Sequence, residues 1–488
     1  MNGFIKKTTA AVAVIFTISA SAQTTPKQLN SESYIQTIDE TSQNRLNVKP
    51  LHLNDVIEQG LRKNHGQQIR KYGSEILDLK WDDTWEDFWI PKVNITLISP
   101  EHRLGTIKSG SNNSIPRSNR PDGALALNFG DYTLFNWGKD YLPYLNTKAD
   151  IKRSKENINE ATRELKHDLI ISYFKLYYLN EKERIKRDQL RHASFIYRLN
   201  REKISLKKVS KQDYYLARSE YLRAQNEFQE VKNEVQLQNE VIANLINDEV
   251  GTKYLLQESL KYELLTTPLT EVLTLAAKNN PDTLDAIKNV ENAKRSYELA
   301  LKNNLPLPKI SMKLGAYDYR FSPNTNRTTY TTGPGNSNID IVASINATWS
   351  LTGTGGILNG RTTKSSVLSK HMAFARKAQT IRDTQALAKS QYFTIKYLQN
   401  QINILDARIP TLQKSFDTIL ENYMNKRARY IDFKNTLIEL TESQILLEQS
   451  KFLHLYNKVE LATTSGLEDF PGQNFERLTQ EYKKGKKK

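Results

Sequence analysis

The sequence predicts a mainly α-helical chain that also carries membrane-type β-strands and is written as an internal two-fold repeat. Three observations carry that prediction. Only 38% of the 488 residues are hydrophobic while 25% are charged, a balance that suits long water-bathed helices better than large globular cores. Glycine is absent from 139 to 250, as helix interiors prefer. Ile341, Ala343, Ile345, Ala347, Trp349 and Leu351 alternate with Ser344, Asn346, Thr348 and Ser350, the period of a strand with one apolar face.

The first element is an export signal over 1–22. Lys6 and Lys7 precede an apolar run from Ala10 to Ile18, and Ala20-Ser21-Ala22 offers a cleavage site before Gln23. That run is shorter than the ~20 residues a spanning helix needs. Residues 23–50, rich in Ser, Thr, Gln and Asn, read as a flexible extension. Export changes the meaning of the +16 net charge: nucleic acid, the default partner of a basic cytosolic chain, is not expected. The absence of cysteine excludes disulfides, thiol catalysis and lipid attachment at a cysteine.

Repeat 1 (51–267) and repeat 2 (268–466) share landmarks at a constant offset. Leu53-Asn54-Asp55-Val56-Ile57 is echoed by Leu269-Thr270-Glu271-Val272-Leu273, Pro91-Lys92-Val93 by Pro308-Lys309-Ile310, and Asp213 by Asp432. The spacing stays at roughly 216–219 positions, which chance likeness does not sustain. Each copy predicts a short amphipathic helix, a second helix stopped by proline, a β-hairpin (92–134 and 309–352), and a long helical hairpin (139–256 and 357–465). The loops Glu101–Gly123 and Phe321–Asn338 are long and polar, as on the outer face of membrane barrels. Ile438, Ile445, Phe452 and Val459 predict one coiled-coil seam, and Phe228, Val231, Val235, Ile242 and Leu245 another. Pro410 predicts a kink. Residues 467–488 form a basic tail.

Four strands per chain leave open edges that lipid cannot satisfy, so closure calls for more copies. The order of elements, its duplication, and the strand-to-helix glycines Gly138 and Gly355 resemble the TolC-type outer-membrane efflux proteins across about 51–466. The resemblance implies a homotrimer with a twelve-stranded β-barrel in outer-membrane lipid, continued by a helical coiled-coil barrel in the periplasm. It also implies a periplasmic membrane-fusion adaptor, an inner-membrane transporter of the RND, ABC or MFS type, and passive conduction through an iris-like gate. No cofactor is expected. A periplasmic coiled-coil adaptor or scaffold without a pore is the competing reading.

The hairpin tips are the candidate gate. Relatives place a small residue, then Ser/Thr, then Asp before the return helix; here Ser210 and Asp213 match in copy 1 and Asp432 in copy 2. Each Asp is either a helix cap or a gate group. Tyr423 stands where relatives place an aromatic beside gating contacts, and ordinary packing is the other reading. The expected glycine is Lys207 in one copy and Lys426 in the other, flanked by Lys208, Lys211, Arg427 and Arg429. Threefold multiplication would make a basic collar, read either as solvated surface or as a site for anionic cargo or an acidic adaptor tip. The seven histidines show no metal-ligand spacing, Gly353-Thr354-Gly355-Gly356 lacks the rest of a phosphate loop, and no carboxylate pair is set apart for acid–base work, so no catalytic or metal site is expected.

Overall fold

Long runs of good helix formers make the two longest elements, and short polar turns place everything else around them. The computed structural model describes residues 48–98, 123–205, 209–321, 340–353, 356–425, 427–470 and 473–481. The described residues from Lys49 onwards form one compact unit. β1 (Val48–Leu51) leads into α1 (Leu53–Lys63), α2 (His65–Trp89), β2 (Asn94–Ile98), β3 (Gly123–Phe135), α3 (Tyr141–Ser205) and α4 (Lys211–Ile246). After β4 (Lys253–Leu256) and β5 (Glu258–Leu260) come α5 (Leu269–Asn279), α6 (Pro281–Asn303), β6 (Lys309–Phe321), β7 (Asp340–Thr348), α7 (Gly360–Met424) and α8 (Tyr430–Thr464). A 3-10 turn (Phe475–Arg477) and β8 (Thr479–Glu481) are the last described elements.

Asparagine separates the paired short helices in both halves. Asn64 Oδ1 accepts the Gln67 N–H at 3.3 Å and its Nδ2 donates to Leu245 O at 2.9 Å. Asn280 accepts from the Thr283 N–H at 3.2 Å and donates to Thr464 O at 2.9 Å. One side chain thus caps a helix start and ties it to the end of a long return helix.

β2, β3, β6 and β7 form one antiparallel sheet in that order, the two hairpins being joined by the β3–β6 pair. Ile310, Met312 and Leu314 stand opposite Ala347, Ile345 and Ala343, while Ser311 and Lys313 stand opposite Asn346 and Ser344. Apolar and polar positions therefore fall on opposite faces. The apolar face is open: Ile345 is 72% and Ile95 74% exposed. The sheet does not close; β2 and β7 are edges.

Several boundaries differ from the sequence expectation. β7 begins at Asp340, takes in Ile341, and stops at Thr348, so Trp349 and Leu351 lie beyond it. There the backbone bonds locally, Ile357 N–H to Ser350 O and Leu358 N–H to Leu351 O, which ends the ladder. β3 runs on to Phe135 because register shifts after Asn128 and Thr133 let it keep pace with β6. Before α3, Trp137 (φ 54°) and Gly138 (φ 75°) are both left-handed, and the Lys139 N–H closes on Asn136 O at 2.8 Å. In the second half the left-handed residue is Gly353 (φ 84°); Gly355 lies outside the described residues.

α3 and α7 each have 65 residues, which at 1.5 Å per residue is about 100 Å of helix. α7 continues through Pro410 as one helix. α3 packs on α4 and α8, and α8 on α7, giving the row α4–α3–α8–α7. The seam on α8 coincides with the predicted one only in part, at the fully buried Val459. Phe433, Leu437, Leu440, Leu447, His454, Lys458 and Leu461 are buried, while Ile438, Ile445 and Phe452 flank them half-buried. The buried register includes two polar residues, His454 and Lys458, which apolar spacing passes over.

The main core gathers α1, α3, α4, α5 and α8 around Leu53, Leu169, Tyr173, Phe174, Ile242, Val272 and Val459. Gly60 permits this closeness, since a Cβ there would collide with the Leu169 side chain. Residues after α8 join the same core. Phe470, Phe475 and Leu478 are at most 2% exposed, β8 pairs with β5, and Lys166 holds Glu468 and Glu476. A buried Arg153 on α3 links the halves: Nε reaches Asp285 at 2.8 Å and Nη2 reaches Pro281 O at 2.9 Å, while Glu160 takes both terminal nitrogens at 2.8 and 3.0 Å.

Candidate functional site

The ends of the α3–α4 and α7–α8 hairpins bring the expected tip residues to one end of the helical row. Lys207, Lys208 and Lys426 lie outside the described residues. Ser210 is the N-cap of α4: its Oγ accepts the Asp213 N–H at 3.0 Å and its hydroxyl donates to Asp213 Oδ2 at 2.8 Å. Asp213 is thereby held within its own helix start. In the second hairpin the N-cap is Arg429, whose side chain does not cap the backbone. Its guanidinium instead forms two bonds to Asp432, Nε to Oδ2 at 3.1 Å and Nη2 to Oδ1 at 3.0 Å. Those bonds hold the exposed Asp432 carboxyl below the usual carboxylate range. Lys211 and Arg427 are exposed, and the Arg427 backbone N–H ends α7 on Asn422 O at 2.7 Å.

Tyr423 faces inward. It is 8% exposed, and its hydroxyl donates to Asn200 Oδ1 at 2.7 Å; Asn200 itself is fully buried on α3. The ring stacks on Phe433 (5.8 Å between centroids) and meets Tyr430 edge-on at 6.1 Å, and Lys203 Nζ lies 5.8 Å from its centroid. Phe416, Ile196 and Ala217 complete this cluster, so all four long helices contribute to it. Tyr430 adds a second tie, its hydroxyl reaching Leu216 O at 3.5 Å, and Lys434 reaches the buried Glu220 at 3.5 Å. Burial raises the Tyr423 hydroxyl above its ordinary pKa, keeping it a neutral donor.

Sequence reasoning missed Asn200, because a polar residue within a long helix carries no local signal of burial. Its partner is 223 positions away. Asn200 Nδ2 is buried without a hydrogen-bond partner, which leaves the contact less than fully satisfied.

No protein-family model and no curated protein sequence matches the chain. Solved structures do match. The outer membrane protein VceC of Vibrio cholerae is 16% identical, with 85% of this chain and 96% of that one covered at a TM-score of 0.64. The CmeC outer membrane channel of Campylobacter jejuni is 16% identical, covering 93% and 92% at 0.68. The open state of the MtrE outer membrane channel of Neisseria gonorrhoeae is 13% identical, covering 85% and 89% at 0.63. The chain therefore has the TolC-type fold of outer-membrane channels.

Proposed function

We propose that the chain is the subunit of a homotrimeric outer-membrane export channel, a passive duct gated at its helical tips. One observation carries this reading: both layers are open at both ends. The sheet leaves β2 and β7 unpaired at its edges, and the helical row ends on α4 and α7. Unpaired strand edges cannot face lipid, so a four-stranded unit in a membrane has to be completed by other copies. Three copies give twelve strands, and the helical rows then join below them in the periplasm.

Side-chain patterning supports a head-to-tail contact between copies. Ile69, Tyr72, Ile76 and Leu79 make a ridge on α2, each 62–70% exposed and spaced by three and four residues. Between α6 and α7 runs a groove of about 930 Å³ that includes Met372 and Leu387. A ridge of one copy seated in the groove of the next is a heterologous contact, which forms a ring when the rotation between copies closes.

At the tips, the Tyr423–Asn200 bond and the aromatic cluster hold the second hairpin against the first, in the closed position. Opening swings the α7–α8 tip away and breaks that bond. The site offers no bond-making chemistry; the partners are a periplasmic adaptor and an inner-membrane transporter that deliver cargo to the duct.

The test is the detergent-extracted mass together with conductance in planar bilayers. A trimer that conducts, and whose conductance rises in Tyr423→Phe or Asn200→Leu, supports the duct and its gate. A monomer soluble without detergent overturns it and leaves a periplasmic scaffold or adaptor.

A further inference from the structure

The five tryptophans of the chain lie towards the end of the helices that meets the sheet. Trp81, Trp85 and Trp89 occupy the last turns of α2, Trp137 the turn before α3, and Trp349 the residue after β7. Trp85, Trp89, Trp137 and Trp349 are 47%, 51%, 40% and 51% exposed. Exposed indoles in water forfeit a large apolar contribution, whereas a membrane interface accepts both the ring and its N–H. Trp137 has that dual character: Nε1 donates to Pro308 O at 3.1 Å while the ring meets Phe135 edge-on at 4.8 Å.

At this level a groove of about 570 Å³ opens between the end of α2 and the base of β3 and β6. Trp89, Leu134, Phe135 and Tyr141 line it together with Lys92, Lys309, Asp87 and Asp140. Phe88, stacked on Tyr144 at 4.5 Å, backs the aromatic wall. Lys92 Nζ is 2.9 Å from Asp87, with the two side chains 69% and 66% exposed. A pair so exposed is weak and leaves the ammonium able to meet another anion. β3 and β6 have 13 residues each, enough for tilted strands to cross a hydrocarbon core of about 30 Å. The groove lies where those strands end, at the depth where acyl chains give way to headgroups.

We propose that this groove is a phospholipid site of the periplasmic leaflet. It rests on the reading of the sheet as membrane-spanning. One acyl chain lies along Trp89, Phe135 and Tyr141, and the phosphate meets Lys92 and Lys309. A lipid fits better than a second protein copy, because the wall of exposed aromatic rings continues the open apolar face of the strands and Lys92 and Lys309 stand beside it to meet a phosphate.

The test uses the full chain reconstituted into phosphatidylglycerol vesicles whose acyl chains are brominated near the glycerol end. Vesicle flotation and conductance are followed in the same samples. Brominated lipid is expected to quench tryptophan emission about twofold or more, as for interfacial indoles. Trp89→Phe should shrink the quenched fraction, and Lys92→Glu with Lys309→Glu should lower the phospholipid retained per chain after purification. If the protein floats and conducts but its emission answers to aqueous iodide and not to brominated lipid, the lipid site is overturned and the channel reading stands. Emission insensitive to both quenchers means that protein covers the rings, which also overturns it. Failure to float or conduct removes the channel reading and the lipid site with it.

Discussion

His454 on α8 is 2% exposed, its Nε2 lies 3.2 Å from Gln399 Nε2, and its ring lies 5.0 Å from Tyr262. Burial, with Lys458 and Lys396 nearby, lowers its pKa from 6.5 to about 3. The unfolded chain takes up this proton as pH falls below about 6.5, while the folded chain refuses it until about 3. Stability therefore declines across that window on acidification, at up to about 1.4 kcal/mol per pH unit, and the contribution is complete above 6.5. Thermal unfolding of His454→Gln should show a flatter dependence between pH 6.5 and 4 than the parent; equal slopes would sink the assignment. Lys458 behaves in the opposite range. Its Nζ donates to Glu263 O at 3.0 Å, and burial lowers its pKa to about 8. The unfolded lysine holds its proton to about 10.5, so stability gains between pH 8 and 10.5 as the folded chain releases it first. Lys458→Met should remove that gain, read from urea midpoints at pH 8 and 10.

Between elements, Arg153 is the principal polar clamp of the first half on the second. Arg153→Met strands Glu160 and Asp285 and removes the bond to Pro281 O. Those carboxylates keep some access to water, so the loss should be about 2–3 kcal/mol, below that of a fully buried pair. Urea unfolding of the solubilised protein measures it, and a change under 0.5 kcal/mol, typical of surface sites, would mean that the clamp is decorative. Gly466 ends α8 at φ 67° against the Asn279 backbone, where an added Cβ would collide with the Asn279 carbonyl. Gly466→Ala combines left-handed strain with overpacking and should cost about 1–3 kcal/mol, seen as a lowered unfolding midpoint.

At the scale of the whole molecule, the exposed ridge on α2 and the outer face of α7 decide assembly. Tyr397 and Ile404 are 63% and 66% exposed on α7, and Ile76 is 63% exposed on α2. Ile76→Glu, or Tyr397→Glu with Ile404→Glu, should shift the detergent-solubilised mass from trimer towards monomer and leave the helical circular dichroism unchanged. An unaltered mass would remove these faces from the interface. The proposed basic collar at the tips belongs to this scale as well. Because Arg429 is bound to Asp432, charge reversal at Lys207, Lys208 and Arg427 should move ion selectivity more than Arg429→Glu does, measured as reversal potential under a salt gradient.

The sequence by itself determined the order of elements, the alternation along β7, and the start of a return helix close to Asp213. Each of these is written in neighbouring residues: period two for a strand, a short polar side chain at a cap, the absence of glycine in an arm. Tertiary structure decided the rest. It joined the two hairpins through β3 and β6, buried Tyr423 on Asn200, and folded Phe470, Phe475 and Leu478 into the core, where the sequence had suggested a basic tail. It also placed the α8 seam on a register containing His454 and Lys458, which apolar spacing passes over. Local pattern cannot anticipate a buried polar residue, because burial depends on which distant surface arrives to satisfy it.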